Sequence, residues 1–164
     1  MLSEVLSEKV GRVQRSINNY IHVIEETDEI TLYIKPSKEE WSGMQIVAHI
    51  LEAANFWLTD LEALLIVPGA KWGRNHEHVR RLAAIDEAVV LDTKKDDAIA
   101  KLKKLAERVE RSFSKVSIED LEKTAPSYNE KFDKKPLSFL IDQLIVQHIE
   151  GHYDQLVRHL KKVT

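Results

Sequence analysis

The sequence predicts an all-α four-helix bundle with long crossover connections. Apolar residues recur at helical spacing in four long segments, and no convincing set of alternating strands is present. Glycine and proline, the residues that most often interrupt helices, number only 5 and 4 among 164 residues. A chain of this length forms one domain, residues 1–164, with enough material for a hydrophobic core.

The first helix is expected from about Ser3 to about Asp28, with Leu6, Val10, Val13, Ile17, Tyr20, Ile21 and Ile24 on one stripe. The β-branched stretch Ile30 to Ile34 has no partner strand and reads as a connector. Pro36-Ser37-Lys38-Glu39-Glu40 carries a helix-start signal, with Ser37 as cap and Glu40 three residues on. Ser42 then opens the second long helix, which runs to Val67 and stops at Pro68-Gly69. The span from Gly69 to Thr93 is weakly patterned, with a short helical piece expected within Val79 to Val90. The third long helix covers Lys94 to Val116, with Ile99, Leu102, Leu105, Val109 and Phe113 on one face. After a polar loop through Pro126 to Pro136, the fourth starts near Leu137 and runs to about Val163. The second and third linkers are each roughly twenty residues, long for a hairpin between neighbours, so at least one crosses the bundle or contributes to a site.

Hydrophobic residues make up 43% and charged residues 31%, an ordinary globular balance. The net charge of -3, without a basic stripe, argues against a nucleic-acid partner. The absence of cysteine removes disulfides, thiolate metal sites and a protein thiol nucleophile. The N-terminal MLSEVLSEKVGRVQ carries acids early, unlike a secretory signal, and Ile46 to Val67 is broken by His49, Glu52, Asn55, Asp60 and Glu62. A cytoplasmic protein with no membrane partner is the resulting expectation.

Seven histidines are present: His22, His49, His76, His78, His148, His152 and His159. The spacing of His148 and His152 puts both imidazoles on one helical face, about 40° apart at about 100° per residue. Such a pair is weak evidence alone, because buried histidines are often ordinary hydrogen-bonded core residues. His49, between Ala48 and Ile50 on a second apolar face, strengthens it. Three buried imidazoles are costly without partners, at roughly 1–3 kcal/mol each. Together they would leave an ion with open positions, as in working rather than closed structural sites. The sequence does not choose among divalent zinc, nickel, iron, copper and manganese. Gly151 between the pair would allow another backbone to approach. His159 lies about 16 Å from His148 along the axis, too far to join the same ion, and reads as a helix-end residue near the C-terminal dipole. His22 falls off the apolar stripe. His76-Glu77-His78 sits among Trp72, Asn75 and Arg74 and reads first as a polar loop pinned by Trp72, second as the roof of a pocket for an anion.

Trp41-Ser42 followed by Ile46-Val47-Ala48-His49-Ile50, and Gln147-His148-Ile149-Glu150-Gly151-His152-Tyr153-Asp154-Gln155-Leu156 near the C-terminus, resemble the DinB/YfiT-like superfamily of metal-binding bundles. The resemblance spans essentially the whole chain. It implies His49, His148 and His152 as a three-histidine site, Trp41 as a seat for the second helix, family-type crossover topology and a homodimer. It also implies chemistry with a low-molecular-weight thiol such as bacillithiol, and hence a thiol S-transferase for a small-molecule substrate. Arg74, Arg80 and Arg81 are candidate anchors for a carboxylate of that thiol. A hydrolase using metal-activated water and a non-catalytic stress-associated metal protein are the alternatives. Glu52 and Glu150 do not clearly point at the ion, and neither is assigned a role.

Overall fold

Where a continuous apolar stripe is available, the chain forms a long helix, and the stripe sets which neighbours it meets. The computed structural model describes residues 2–164. Helix α1 spans Glu4–Glu25, capped by Ser3, whose hydroxyl accepts from the Leu6 N–H at 3.3 Å. It buries the expected stripe from Leu6 to Ile24, each such side chain contributing roughly 1.5–3 kcal/mol of burial. The connector holds a single turn, α2 (Glu29–Leu32), which buries Leu32.

The start signal at Ser37 makes only a turn, in which Glu40 N–H bonds the Ser37 carbonyl at 3.3 Å. No apolar run follows it at once, and the Glu40 carboxylate is drawn away to Lys162 at 2.8 Å. The true start is at Ser42. Its hydroxyl accepts from Gln45 N–H, and the Gln45 side chain accepts from Ser42 N–H, a reciprocal pair that opens α3 (Gly43–Ile66).

Two short helices, α4 (Val79–Ala84) and α5 (Glu87–Leu91), occupy the weakly patterned span, and α4 buries none of its side chains. Helix α6 (Lys95–Phe113) carries the third stripe. The fourth segment begins as α7 (Leu137–Phe139), passes into a π-helical stretch (Leu140–Gln147) and becomes α8 (His148–Val163). Within it Leu137, Ile141, Ile145 and Ile149 are buried at every fourth residue, which suits the wider π turn better than a regular helix.

Helix α1 packs against α6 and α8, and α3 packs against the same two. The order around the bundle is therefore α1, α6, α3, α8. Chain-consecutive long helices α1 and α3 face each other across the diagonal, as do α6 and α8, so the third linker crosses the bundle as expected, the first crosses it too, and the second joins the neighbours α3 and α6. The second and third linkers are stitched together: Trp72 N–H bonds the Pro126 carbonyl at 3.1 Å, and Tyr128 N–H bonds the Trp72 carbonyl at 2.8 Å. Among the described residues there are only isolated bridges of β type, and no helix is long and apolar enough to cross a membrane.

The buried capping pair yields a stability prediction. Ser42→Ala removes one acceptor and leaves the Gln45 N–H without its partner, so urea unfolding should show a loss of about 1 kcal/mol and no more than about 2.

Candidate metal centre

Helices α3 and α8 bring His49, His148 and His152 to one point. The Nε2 atoms of His49 and His148 are 3.4 Å apart, and those of His148 and His152 are 2.9 Å apart. One donor atom from each residue lies within 4.8 Å of the others. Two nitrogens each about 2.1 Å from one ion are separated by about 3.0 Å at a right angle and about 3.4 Å at a tetrahedral angle. The observed spacings match those values, so the donor set fits a divalent transition-metal ion. No fourth histidine, aspartate or glutamate belongs to the group among the described residues.

The protonation pattern agrees. His152 Nδ1–H donates to Gln155 Oε1 at 2.6 Å, which leaves its Nε2 lone pair facing the other two rings. Gln155, one turn beyond His152, was not singled out from the sequence as a site residue; its i,i+3 spacing was the available signal. The Nδ1 atom of His49 is buried without a hydrogen-bond partner, and the only hydrogen-bonding group acting on that of His148 is the Leu144 carbonyl one turn before it, which is off hydrogen-bond geometry and opposes the lowering of its pKa. Burial, reinforced by the neighbouring imidazoles, lowers the His49 pKa to about 2, and the same causes lower that of His148 to about 3. Burial also lowers that of His152. All three are neutral near pH 7, the form that binds a metal.

Trp41 does more than seat α3. Its indole lies 5.0 Å from the His49 ring and stacks at 23° on His152, with centroids 6.3 Å apart. Gly151 faces open space, with no atom within 4 Å of a Cβ placed there, so it permits no close backbone approach. Its small size belongs to the solvent side of α8.

A cavity of about 260 Å³ adjoins the imidazoles, walled by Trp57, Phe132 and Leu144 and edged by Arg74, Arg81 and His76. Arg74 is 5% exposed and grips the Glu52 carboxylate with both terminal nitrogens, its Nη1 at 2.8 Å. Its guanidinium also lies 4.0 Å over the Phe56 ring. Gly73 places it: φ is +90°, its N–H donates to Asp60 at 2.8 Å, and a Cβ there would stand 2.7 Å from Ser127 Oγ. Arg81 reaches the cavity from α4 and donates to the His76 carbonyl at 3.0 Å. It makes no ion pair among the described residues. Burial and the neighbouring Arg74 lower its pKa, yet a guanidinium stays charged.

Arg80, one position before, is exposed and does not line the cavity. His78 caps α4 by accepting from Arg80 N–H and packs on Phe56, while Trp72 is buried as the pin of the loop. Glu150 pairs with Arg12 on α1, and Glu52 with Arg74, so neither carboxylate faces the triad.

The lowered imidazole pKa values carry a sign. The unfolded chain, with ordinary histidines near 6.5, binds protons that the folded one refuses, so acid favours unfolding. The melting temperature of metal-free protein should fall as pH drops from about 7 to about 5. A melting temperature constant over that range would contradict a buried neutral triad.

Comparison with known proteins bears on the fold and the family. YfiT from Bacillus subtilis, described as a probable metal-dependent hydrolase with an unusual four-helix bundle topology, superposes with a TM-score of 0.75 at 11% identity, covering 98% of this chain and 91% of its own. The mycothiol-dependent maleylpyruvate isomerase superposes with a TM-score of 0.64 at 12% identity, covering 96% of this chain but 60% of its own. At these identities both show the shared bundle fold alone. No curated protein sequence matches the chain. A family model does match, over residues 12–156, from the middle of α1 to Leu156 on α8; it describes the DinB superfamily, and this chain belongs to it.

Proposed function

We propose that His49, His148 and His152 hold a divalent metal ion, and that the chain is a thiol-dependent S-transferase acting in the cavity beside them. The observation that carries the choice of reaction is the lining of that cavity. It has two arginines and an apolar wall, and no carboxylate among its lining residues. Hydrolysis needs a general base within reach of water. Thiol transfer does not, provided the thiol is already ionised. When bound, a divalent ion with positions left open by the protein lowers the pKa of a thiol and so supplies the nucleophile that a chain without cysteine lacks.

The protein's residues bind and orient the reactants. Arg81, with no carboxylate partner of its own, receives a carboxylate of the small thiol; Arg74 is already neutralised by Glu52 and holds the floor beneath it. Trp57, Phe132 and Leu144 take the apolar part of the electrophile and exclude water. In the transfer, the sulfur–carbon bond forms as the leaving group departs with its electron pair, and the thiol proton passes to solvent. The adjoining cavity, and the absence of a fourth histidine or carboxylate donor among the described residues, speak against a purely structural ion.

Hydrolysis remains a second reading on one observation: the His76 imidazole edges the cavity and is its one titratable side chain besides the triad and the arginines. Turnover of an ester or amide by metal-loaded protein without added thiol would favour it.

The leading reading is tested by incubating zinc-, nickel-, iron(II)- or manganese-loaded protein with bacillithiol and a chlorinated aromatic electrophile. Metal-dependent thiol consumption is expected, abolished in His49→Ala. Arg81→Ala should raise the KM for the thiol about ten-fold with kcat nearly unchanged, because a charge-assisted hydrogen bond is worth about 1.5–3 kcal/mol. No thiol consumption with any of these metals would overturn the assignment.

A further inference from the structure

His159 lies near the end of α8, too far along it to reach the ion, and it is buried there. It is 7% exposed, and its Nδ1–H donates to the Trp41 carbonyl at 2.7 Å. A carbonyl only accepts, so the proton sits on Nδ1. Trp41 immediately precedes Ser42, the cap of the helix carrying His49, and its indole rests on His49 and His152.

The same place shows a second sign of close docking. A Cβ on Gly43, the first residue of α3, would stand 3.0 Å from Leu160 Cδ2 and 3.3 Å from Leu156 Cδ1. The N-terminus of α3 is thus pressed onto the last turns of α8. The Lys162–Glu40 pair also spans this junction, but it is exposed and contributes little. The buried polar tie is His159 to Trp41.

We propose that His159 is a positioning residue for the histidine triad. By holding the Trp41 carbonyl, it seats the indole against His49 and His152 and sets the spacing between the helix that carries the first imidazole and the helix that carries the other two. This rests on the triad holding a metal. A histidine that merely satisfies a buried carbonyl would, on removal, lower stability and leave metal affinity alone. A positioning residue acts on affinity, as partners one step out from metal ligands do, by roughly 10–100-fold.

The experiment measures zinc affinity by competition with a chromophoric chelator, alongside the melting temperature of the metal-free protein. His159→Leu, which loses the donor, should weaken zinc binding at least ten-fold, and His159→Gln, which keeps an N–H, should recover most of it. Ser112→Ala removes a remote hydrogen bond from a buried serine to the half-buried Glu62 and should lower stability with unchanged affinity. Trp41→Phe should weaken zinc binding too, and the double variant with His159→Leu should be no weaker than the worse single, since both act through one contact. If the leucine variant does not fold, His159→Asn, whose shorter reach strains the bond, carries the same comparison. Zinc affinity unchanged in the His159 variants, or losses that add in the double variant, would overturn the positioning role alone. Failure of the unmodified protein to bind zinc would overturn the metal reading and this role together.

Discussion

Three neutral imidazoles aimed at one another form an incomplete arrangement, and the rest of the site is organised around that fact. Each neutral ring has one N–H and one lone pair. His152 spends its N–H on Gln155, so its Nε2 offers only a lone pair to the 2.9 Å contact with His148. Whichever nitrogen carries the remaining protons, the Nδ1 of His49 lies buried without a partner and that of His148 has only the poorly aligned Leu144 carbonyl beside it. A ring pair could share a single proton, but three convergent lone-pair positions are filled at once only by an electrophile. Protonation does not offer a way out, because burial and the adjacent rings hold the pKa values of His49 and His148 far below the physiological range.

The bundle topology makes this convergence possible. Helices α3 and α8 are neighbours, while their chain-adjacent partners α1 and α6 lie on the two remaining corners. The second long linker joins the neighbours α3 and α6 and the third crosses from α6 to α8, and their mutual bridge at Trp72 and Ser127 lays Arg74, Asn129 and Phe132 over the side of the triad. At the other boundary, Tyr20 of α1 donates to the Ile149 carbonyl at 2.7 Å, between the two late histidines. The π-helical stretch ends there, so a widened turn, a buried hydroxyl and the late histidine pair meet within a few residues.

What the sequence disclosed follows from which forces are local. Amphipathic stripes of twenty residues average over many side chains, so the four long helices and their ends at Ser42 and Pro68 were legible. The i,i+4 histidine pair was equally so, because helical geometry is fixed by the chain itself. The start signal at Ser37 misled because capping chemistry is common to turns, and only the apolar run after Gly43 decides between them. The π-helical stretch was hidden, since a shift from 3.6 to a wider turn alters the stripe by one residue in eight. Arg81 and Arg80 could not be separated: α4 buries nothing, so no periodicity shows which one faces inward. The bond from His159 to Trp41 was not legible because its partner lies far away in sequence, and a long-range contact has no local signature.

Charge around the cavity extends the same reasoning from the ion to its co-reactant. Glu52 is paired with Arg74 inside the wall and acts on Arg81 only from a distance, while Glu150 is held by Arg12 on the far side, so among the described residues Arg81 has no ion-pair partner. A divalent cation in the triad would add positive charge beside that guanidinium, in surroundings that screen it poorly. The two cations repel unless something negative lies between them. A molecule with a carboxylate at one end and an ionisable thiol at the other supplies negative charge at both places, which a neutral substrate and water do not. That distribution of charge is what supports the thiol-dependent reading proposed above.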